Sequence, residues 1–340
     1  MTRIERLQRT GILRFGNPKA GFKYKRTDGK RLSAQDRTRI DQLRIPPAWT
    51  EVAINNSANG HLQAVGKDAA GRWQYLYHQD HVRKQETKKF HRLIKFAETL
   101  PKMRATVNRH IKQKNLGRER VMAAILRVLS SSFIRPGSQV YASENGSYGI
   151  ATLRPRHVKV TGDVVQFDFP GKSGVRQLRR IEDREVAKVV RALLKQPGAE
   201  VFKYQNGDGN FVDVKRRHIN EYIKELMGEK FSAKDFRTWA GTLLCACTLA
   251  RVGTERVEKP TERKRKIVQA IKETAAVLGN TPAVCRSSYI SPIIVESFHG
   301  GKRIENYFES LEDFITYKGQ KHHPAEEALL EFLKHQRSTP

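Results

Sequence analysis

The stretch from Ile271 to Ser291, IKETAAVLGNTPAVCRSSYIS, sets a phenol, Tyr289, beside a cation, Arg286, and two hydroxyls, Ser287 and Ser288. Such a phenol could be catalytic, or it could be a half-buried tyrosine with a wet hydroxyl, as many are. Four other positions share the question. Arg135 stands in FIRPG, directly after an apolar helical run, and Lys172 in PGKSG, at the tip of a predicted hairpin. Arg237 stands in KDFRTWAG, early in a long helix, and Asn280 in GNTP, nine residues before Tyr289. Singly, each has an ordinary use. An arginine after a helix complements the dipole. A turn lysine is solvated, and an asparagine after glycine caps a helix. A helical arginine usually pairs with a carboxylate, and Asp235 is close by.

Charge narrows the class of partner. The 340 residues carry 64 Lys+Arg against 35 Asp+Glu, a formal net charge of +29. Such an excess repels itself in a compact fold unless an anionic partner is present; nucleic acid fits best, an anionic membrane surface less well. No apolar run approaches the roughly 20 residues needed to span a bilayer, and MTRIERLQRTG lacks the apolar centre of a signal peptide. Cys245, Cys247 and Cys285 form neither a metal spacing nor a disulfide framework, and Cys245 and Cys247 read as packing residues. A cytoplasmic, nucleoid-associated protein with reduced thiols is expected.

The elements follow from periodicity and punctuation. Residues 1–40 read as basic and irregular, apart from a short strand at GFKYKR and a helix over Arg31–Leu43 capped by Ser33. Val52–Ile54, His61–Val65 and Trp73–Tyr77 read as strands, making residues 1–78 a small β-rich domain. Residues 79–89 read as a charged linker or helix start, where a hinge could lie. Residues 90–340 read as a mainly α domain. Its helical stripe is Phe90, Leu93, Ile94 and Ala97, a second helix is read through Val107 and Ile111, and Glu119–Phe133 reads as a buried core helix. Four strands are expected at Gly149–Leu153, His157–Thr161, Val164–Phe169 and Val175–Leu178. Helices return at Asp183–Leu194, Lys215–Met227, Ala233–Val252 and Pro324–His335. In the focal stretch Gly279-Asn280 ends one helix and Thr281-Pro282 starts another. The fold class is α+β.

Together these motifs resemble the type IB DNA topoisomerases of the smaller poxvirus-like and bacterial kind, over nearly the whole chain. That family has an R-x-G after a helix, matched by FIRPG with Arg135, and a hairpin G-K, matched by PGKSG with Lys172. Its K-D-x-R-T box is matched by KDFRT with Lys234 and Arg237. Its G-H-T-P, nine residues before the nucleophile in S/A-Y, is matched by GNTP and SSY with Tyr289. WQYLYH resembles the strand that touches the DNA major groove, with Gln74, Tyr75 and Tyr77 at matching places. ENGSYGIATLRPRHV resembles the segment leading into the hairpin. One departure stands out: Asn280 occupies the family's histidine position. An amide can donate a hydrogen bond to a phosphate oxygen but cannot carry charge or act as an acid.

The resemblance implies a monomer that closes around duplex DNA as a clamp. It implies that Tyr289 forms a 3′-phosphotyrosyl link and expels a 5′-hydroxyl, and that the reverse attack reseals the nick without ATP. The residue types suit this chemistry. Arg135 and Arg237 can fork onto the non-bridging oxygens. Asn280 can donate to the phosphate, and Lys172 can protonate the leaving oxygen, with Lys234 next in line. Arg286, Gln74, Tyr75 and Tyr77 would contact DNA. No cofactor or metal is called for, and no acidic cluster for Mg²⁺ is visible. Two rivals stay open: a tyrosine recombinase, which usually carries H-x-x-R where this chain has Lys234-x-x-Arg237, and a non-enzymatic basic DNA-binding protein.

Overall fold

A computed structural model describes residues 1–253 and 259–338, with side chains undescribed at positions 83, 84, 86, 87, 89, 90, 337 and 338. The chain divides into two compact units, Met1–Phe90 and His91–Pro340.

The first unit is a five-stranded antiparallel sheet with a helix on each face. In chain order its elements are α1 (Arg3–Thr10), β1 (Ile12–Asn17), β2 (Gly21–Arg26), α2 (Ala34–Gln42), β3 (Thr50–Ile54), β4 (Leu62–Lys67) and β5 (Trp73–Tyr77). The strand order is β2-β1-β3-β4-β5. Alternation splits β3 between two small cores. Val52 and Ile54 pack with Ile12, Ile40 and Ala64 beneath α2, while Ala53 packs with Leu7, Leu62 and Val65 beneath α1. Both helices start with reciprocal caps. Thr2 Oγ1 accepts from Glu5 N at 3.2 Å and Glu5 Oε2 accepts from Thr2 N at 2.7 Å; Ser33 and Asp36 repeat the pattern. The capping box offsets the unfavourable start of so short a helix. It is why the first residues are helix and strand rather than the irregular segment expected.

α3 (Gln79–His110) begins where a linker or helix start was read, and residues 79–89 are its first turns. α4 (Arg118–Ser132) is the buried helix expected, with Val121 to Leu126 all at 0 % exposure. α5 (Gln139–Asn145) follows, then an antiparallel sheet of β6 (Val158–Thr161), β7 (Val164–Pro170) and β8 (Arg176–Glu182) in sequence order. The strand expected at Gly149–Leu153 is instead a 3₁₀ turn, Ile150–Thr152. Ile150 N and Ala151 N donate to Arg135 O and Pro136 O, each at 2.9 Å, so this backbone is spent on the loop after α4 rather than on a sheet.

α6 (Arg184–Leu194) is capped by Asp183. The hairpin of β9 (Lys203–Gln205) and β10 (Phe211–Asp213) leads to α7 (Arg216–Met227) and α8 (Ala233–Val252). α8 is buried on every side from Asp235 to Ala250, and the unit is built around it: Trp239, Leu243, Cys245 and Leu249 are among its buried residues. α9 (Pro260–Leu278), α10 (Pro282–Ser288), α11 (Pro292–His299), α12 (Leu311–Ile315) and α13 (Pro324–Ser338) complete the chain. α13 is tied to α8 through Glu326, at 0 % exposure. Its carboxylate accepts from Arg104 at 2.8 and 2.9 Å, from Trp239 Nε1 at 3.0 Å and from His323 N at 3.0 Å. All three cysteines are buried free thiols. Among the described residues no helix is long and apolar enough to cross a membrane.

Candidate active site

The site forms at the C-terminal end of α9. A helix leaves its last carbonyls without intrahelical partners. Here Gly279, in the left-handed region at φ 60°, turns the chain away. Three arginines from three other segments meet the exposed carbonyls in succession. Arg179 Nη2 donates to Val277 O at 3.0 Å, Arg237 Nη2 to Leu278 O at 2.8 Å and Arg135 Nη2 to Gly279 O at 3.0 Å. The negative end of the helix dipole suits cations, but three guanidiniums together also repel one another. Burial, followed by repulsion from Arg237, brings Arg135 down to about 10; Tyr289 pulls the other way. Arg179 is lowered by burial and by Arg237.

Each group is held by local structure. Phe133 adopts the left-handed conformation at φ 57° and ends α4, which releases Arg135 towards α9. Gly149 lies against that loop so closely that a Cβ there would fall 2.5 Å from Arg135 O. Arg237 projects from α8 at 3 % exposure, and its Nη1 donates to Phe133 O. Asp235, the carboxylate nearest in sequence, does not pair with it. Its oxygens take Ser232 N at 2.9 Å and Arg92 Nη2 at 2.6 Å, capping α8.

Tyr289 closes α10, with its N–H on Cys285 O at 2.9 Å. Its ring centre lies 5.0 Å from the Arg237 guanidinium. Thr242 donates from Oγ1 to Tyr289 O and accepts from Ser291 N, both at 3.2 Å. Gly241 leaves room for the tyrosine: a Cβ there would fall 2.8 Å from Tyr289 O and 2.9 Å from its Cβ. Asn280 accepts from Arg135 Nη2 through Oδ1. That contact assigns the amide orientation and leaves Nδ2 buried without a partner among the described residues, as is Arg237 Nε. Buried donors without acceptors are uncommon in folded proteins. Two of them belong to this cluster, one on the guanidinium that lies beside the Tyr289 ring.

Tyr289, Arg135, Arg237 and Asn280 are thus brought together. Lys172 stands exposed on the β7–β8 hairpin tip, in a turn closed by Gly171 N to Val175 O at 2.9 Å. Lys234 is exposed one turn before Arg237, and Arg286 is exposed on α10. In the first unit Tyr75 and Tyr77 lie on edge strand β5, 43 % and 40 % exposed and stacked with ring centres 6.3 Å apart. They are not strand core. Gln74 donates to Asp68 Oδ2 at 2.8 Å. Sequence reasoning missed Arg179, Gln177, Gly241 and Thr242. A glycine inside the KDFRTWAG helix was a usable signal for close approach. Arg179 had none, because β8 was read as ending at Leu178.

Comparison with known proteins gives the family. Residues 78–308, about two thirds of the chain, match the family described as "Eukaryotic DNA topoisomerase I, catalytic core". Residues 21–68 match "Bacterial DNA topoisomerase IB, N-terminal domain". The chain is 34% identical over 295 residues to the DNA topoisomerase 1B of Acanthamoeba polyphaga mimivirus, covering 85% of this chain and 88% of that protein. It is 24% identical over 262 residues to the DNA topoisomerase 1B of vaccinia virus (strain Copenhagen), covering 76% and 80%. The chain belongs to the type IB DNA topoisomerases, in their small form.

Proposed function

We propose that the protein relaxes duplex DNA by transient cleavage of one strand through Tyr289, without ATP or a required metal. Tyr289 gives up its phenolic proton to solvent as its oxygen attacks the backbone phosphorus. A 3′-phosphotyrosyl bond forms as the bond to the 5′-oxygen breaks. The leaving oxygen takes a proton from Lys172, and reversal of both steps reseals the strand. Phosphoryl transfer needs positioning and charge neutralisation more than covalent chemistry from the protein. Arg135, Arg237 Nε and Asn280 Nδ2 donate to the non-bridging oxygens, where developing charge is greatest. Gln74, Tyr75, Tyr77 and Arg286 contact DNA away from the reacting phosphate. We read the enzyme as a bacterial monomer working on nucleoid DNA in the cytoplasm.

The observation that carries this reading is the Tyr289 ring 5.0 Å from the buried Arg237 guanidinium, whose Nε has no partner among the described residues, in one cluster with Arg135 and Asn280. The test is relaxation of supercoiled plasmid in EDTA without nucleotide. The wild type should relax the plasmid. Tyr289→Phe should not, while keeping its DNA affinity, because most binding comes from Lys and Arg on phosphates. Relaxation by purified Tyr289→Phe would overturn the assignment of the nucleophile. A requirement for ATP or a divalent metal would overturn the energetics proposed here.

A further inference from the structure

We infer that Arg179, together with Gln177, is a positioning residue that brackets the Lys172 hairpin onto the Gly279–Asn280 end of α9. The inference rests on the reading of Lys172 as the proton donor. Gly171 N to Val175 O at 2.9 Å and Gly174 N to Gly171 O at 3.1 Å close the hairpin tip on itself, and neither bond ties it to α9. Lys172 is exposed, and the next residue, Ser173, sits at φ 61°, a conformation unfavourable for a side-chain-bearing residue. The fixed part lies just beyond, on β8. Gln177 is 7 % exposed and wedged between two glycines. A Cβ on Gly171, at the base of the tip, would fall 2.7 Å from Gln177 Cγ, and a Cβ on Gly279, at the helix cap, 2.8 Å from Gln177 Oε1. Arg179 Nη2 then spans the junction, donating to Gln177 Oε1 and to Val277 O, each at 3.0 Å. Its Nη1 donates to Leu178 O at 3.0 Å.

None of these partners is a carboxylate, and burial, followed by repulsion from Arg237, disfavours the Arg179 charge. Arg179 contributes a bridge: one guanidinium joins β8, the strand that follows the proton donor's turn, to the helix end that Arg135 also meets and that leads into Asn280. A small displacement of a catalytic group costs on the order of 10²-fold in rate. The bracket removes that freedom before DNA binds.

The experiment is single-turnover cleavage of oxygen-bridged DNA, and of DNA with sulfur in the bridging 5′ position, by Lys172→Ala, Arg179→Ala and the double variant. Arg179→Ala should slow oxygen-bridged cleavage by about 10²-fold, with DNA affinity changed by no more than about threefold. Sulfur, which leaves without a proton, should restore both single variants. The double variant should be no more than about twofold slower than Lys172→Ala, because the two act as one unit. Sulfur recovery for Lys172→Ala but not Arg179→Ala, additive losses, or a near-wild-type Arg179→Ala would each overturn the inference. If Lys172→Ala itself fails to recover, the proton-donor reading fails, and the double-variant comparison alone decides the bracket. Gln177→Ala leaves every charge in place and should give the same pattern, so a misfolded Arg179→Ala does not remove the test.

Discussion

Arg135 Nη2 donates to Asn280 Oδ1, and by doing so leaves the other end of the amide, Nδ2, buried without a partner among the described residues. The type IB pattern has histidine at this position, and the arginine contact gives asparagine a fixed donor in its place. Asn280→Asp keeps an acceptor for Arg135 but removes the donor and adds a negative charge. Single-turnover cleavage should fall by about 10²–10³-fold, the cost of losing one such donor. Asn280→His supplies a ring N–H and should retain more activity than the aspartate. A loss of less than about tenfold for Asn280→Asp would mean that the amide does not touch the phosphate.

Gly241 should behave as a site residue although it has no side chain. Its Cα faces the Tyr289 backbone, and an added methyl would fall inside contact distance of both Tyr289 O and Cβ. Gly241→Ala should therefore displace the phenol. Helix propensity favours alanine by roughly 1 kcal/mol, so thermal stability should fall less than the clash alone implies. Cleavage should drop by about 10²-fold with DNA binding retained. Parallel measurement of cleavage rate and melting temperature checks this; an unchanged rate would place the tyrosine elsewhere in the working enzyme.

Lys172 is tested by the chemistry of the leaving group. If it protonates the 5′-oxygen, Lys172→Ala should slow cleavage by ~10²–10⁴-fold. Sulfur in the bridging position should cancel most of that loss, since a thiolate is a far weaker base than an alkoxide. Arg135→Ala and Arg237→Ala act on the non-bridging oxygens and should recover much less. Equal recovery across the three would make Lys172 another phosphate clamp. No recovery for Lys172→Ala would turn attention to Lys234, one turn from Arg237.

Stability should fall in acid through Glu326. Burial opposes its ionisation, but Arg104, His323 N and Trp239 outweigh burial and hold the carboxyl below its usual range. The unfolded chain therefore binds the proton more readily than the folded one. The stabilisation is present above the unfolded carboxyl's pKa and is lost as pH falls through the folded value. Glu326→Gln should cost about 3–5 kcal/mol at neutral pH, because Arg104 is left without its counter-charge. It should also flatten the decline of melting temperature in acid. An undiminished acid slope in the variant would assign that slope to other carboxylates.

Much of this was legible in one dimension. The helix over Ala233–Val252, the α9 stop at Gly279-Asn280 and the Ser33 cap follow from periodicity, glycine and capping chemistry, which act over one to four residues. The order and spacing of Arg135, Lys172, Arg237, Asn280 and Tyr289 are likewise written in the chain. The first ten residues were misread although Thr2-x-x-Glu5 is a local signal. At Gly149–Leu153 the alternating pattern spells a strand, and nothing local shows that Arg135 O and Pro136 O claim the amides of Ile150 and Ala151.

The sequence by itself determined the elements and the residue types that reach the site. Tertiary structure decided their partners. Asp235, two residues from Arg237, serves Arg92 and the start of α8. Arg237 instead reaches Phe133 O and Leu278 O, 104 and 41 residues away in sequence. Arg179, Arg237 and Arg135 divide three consecutive carbonyls among themselves, and Arg135 turns the Asn280 amide. The reason is physical: capping and periodicity are set by neighbours along the chain, whereas a helix's last carbonyls accept whichever donor the packing of distant segments delivers.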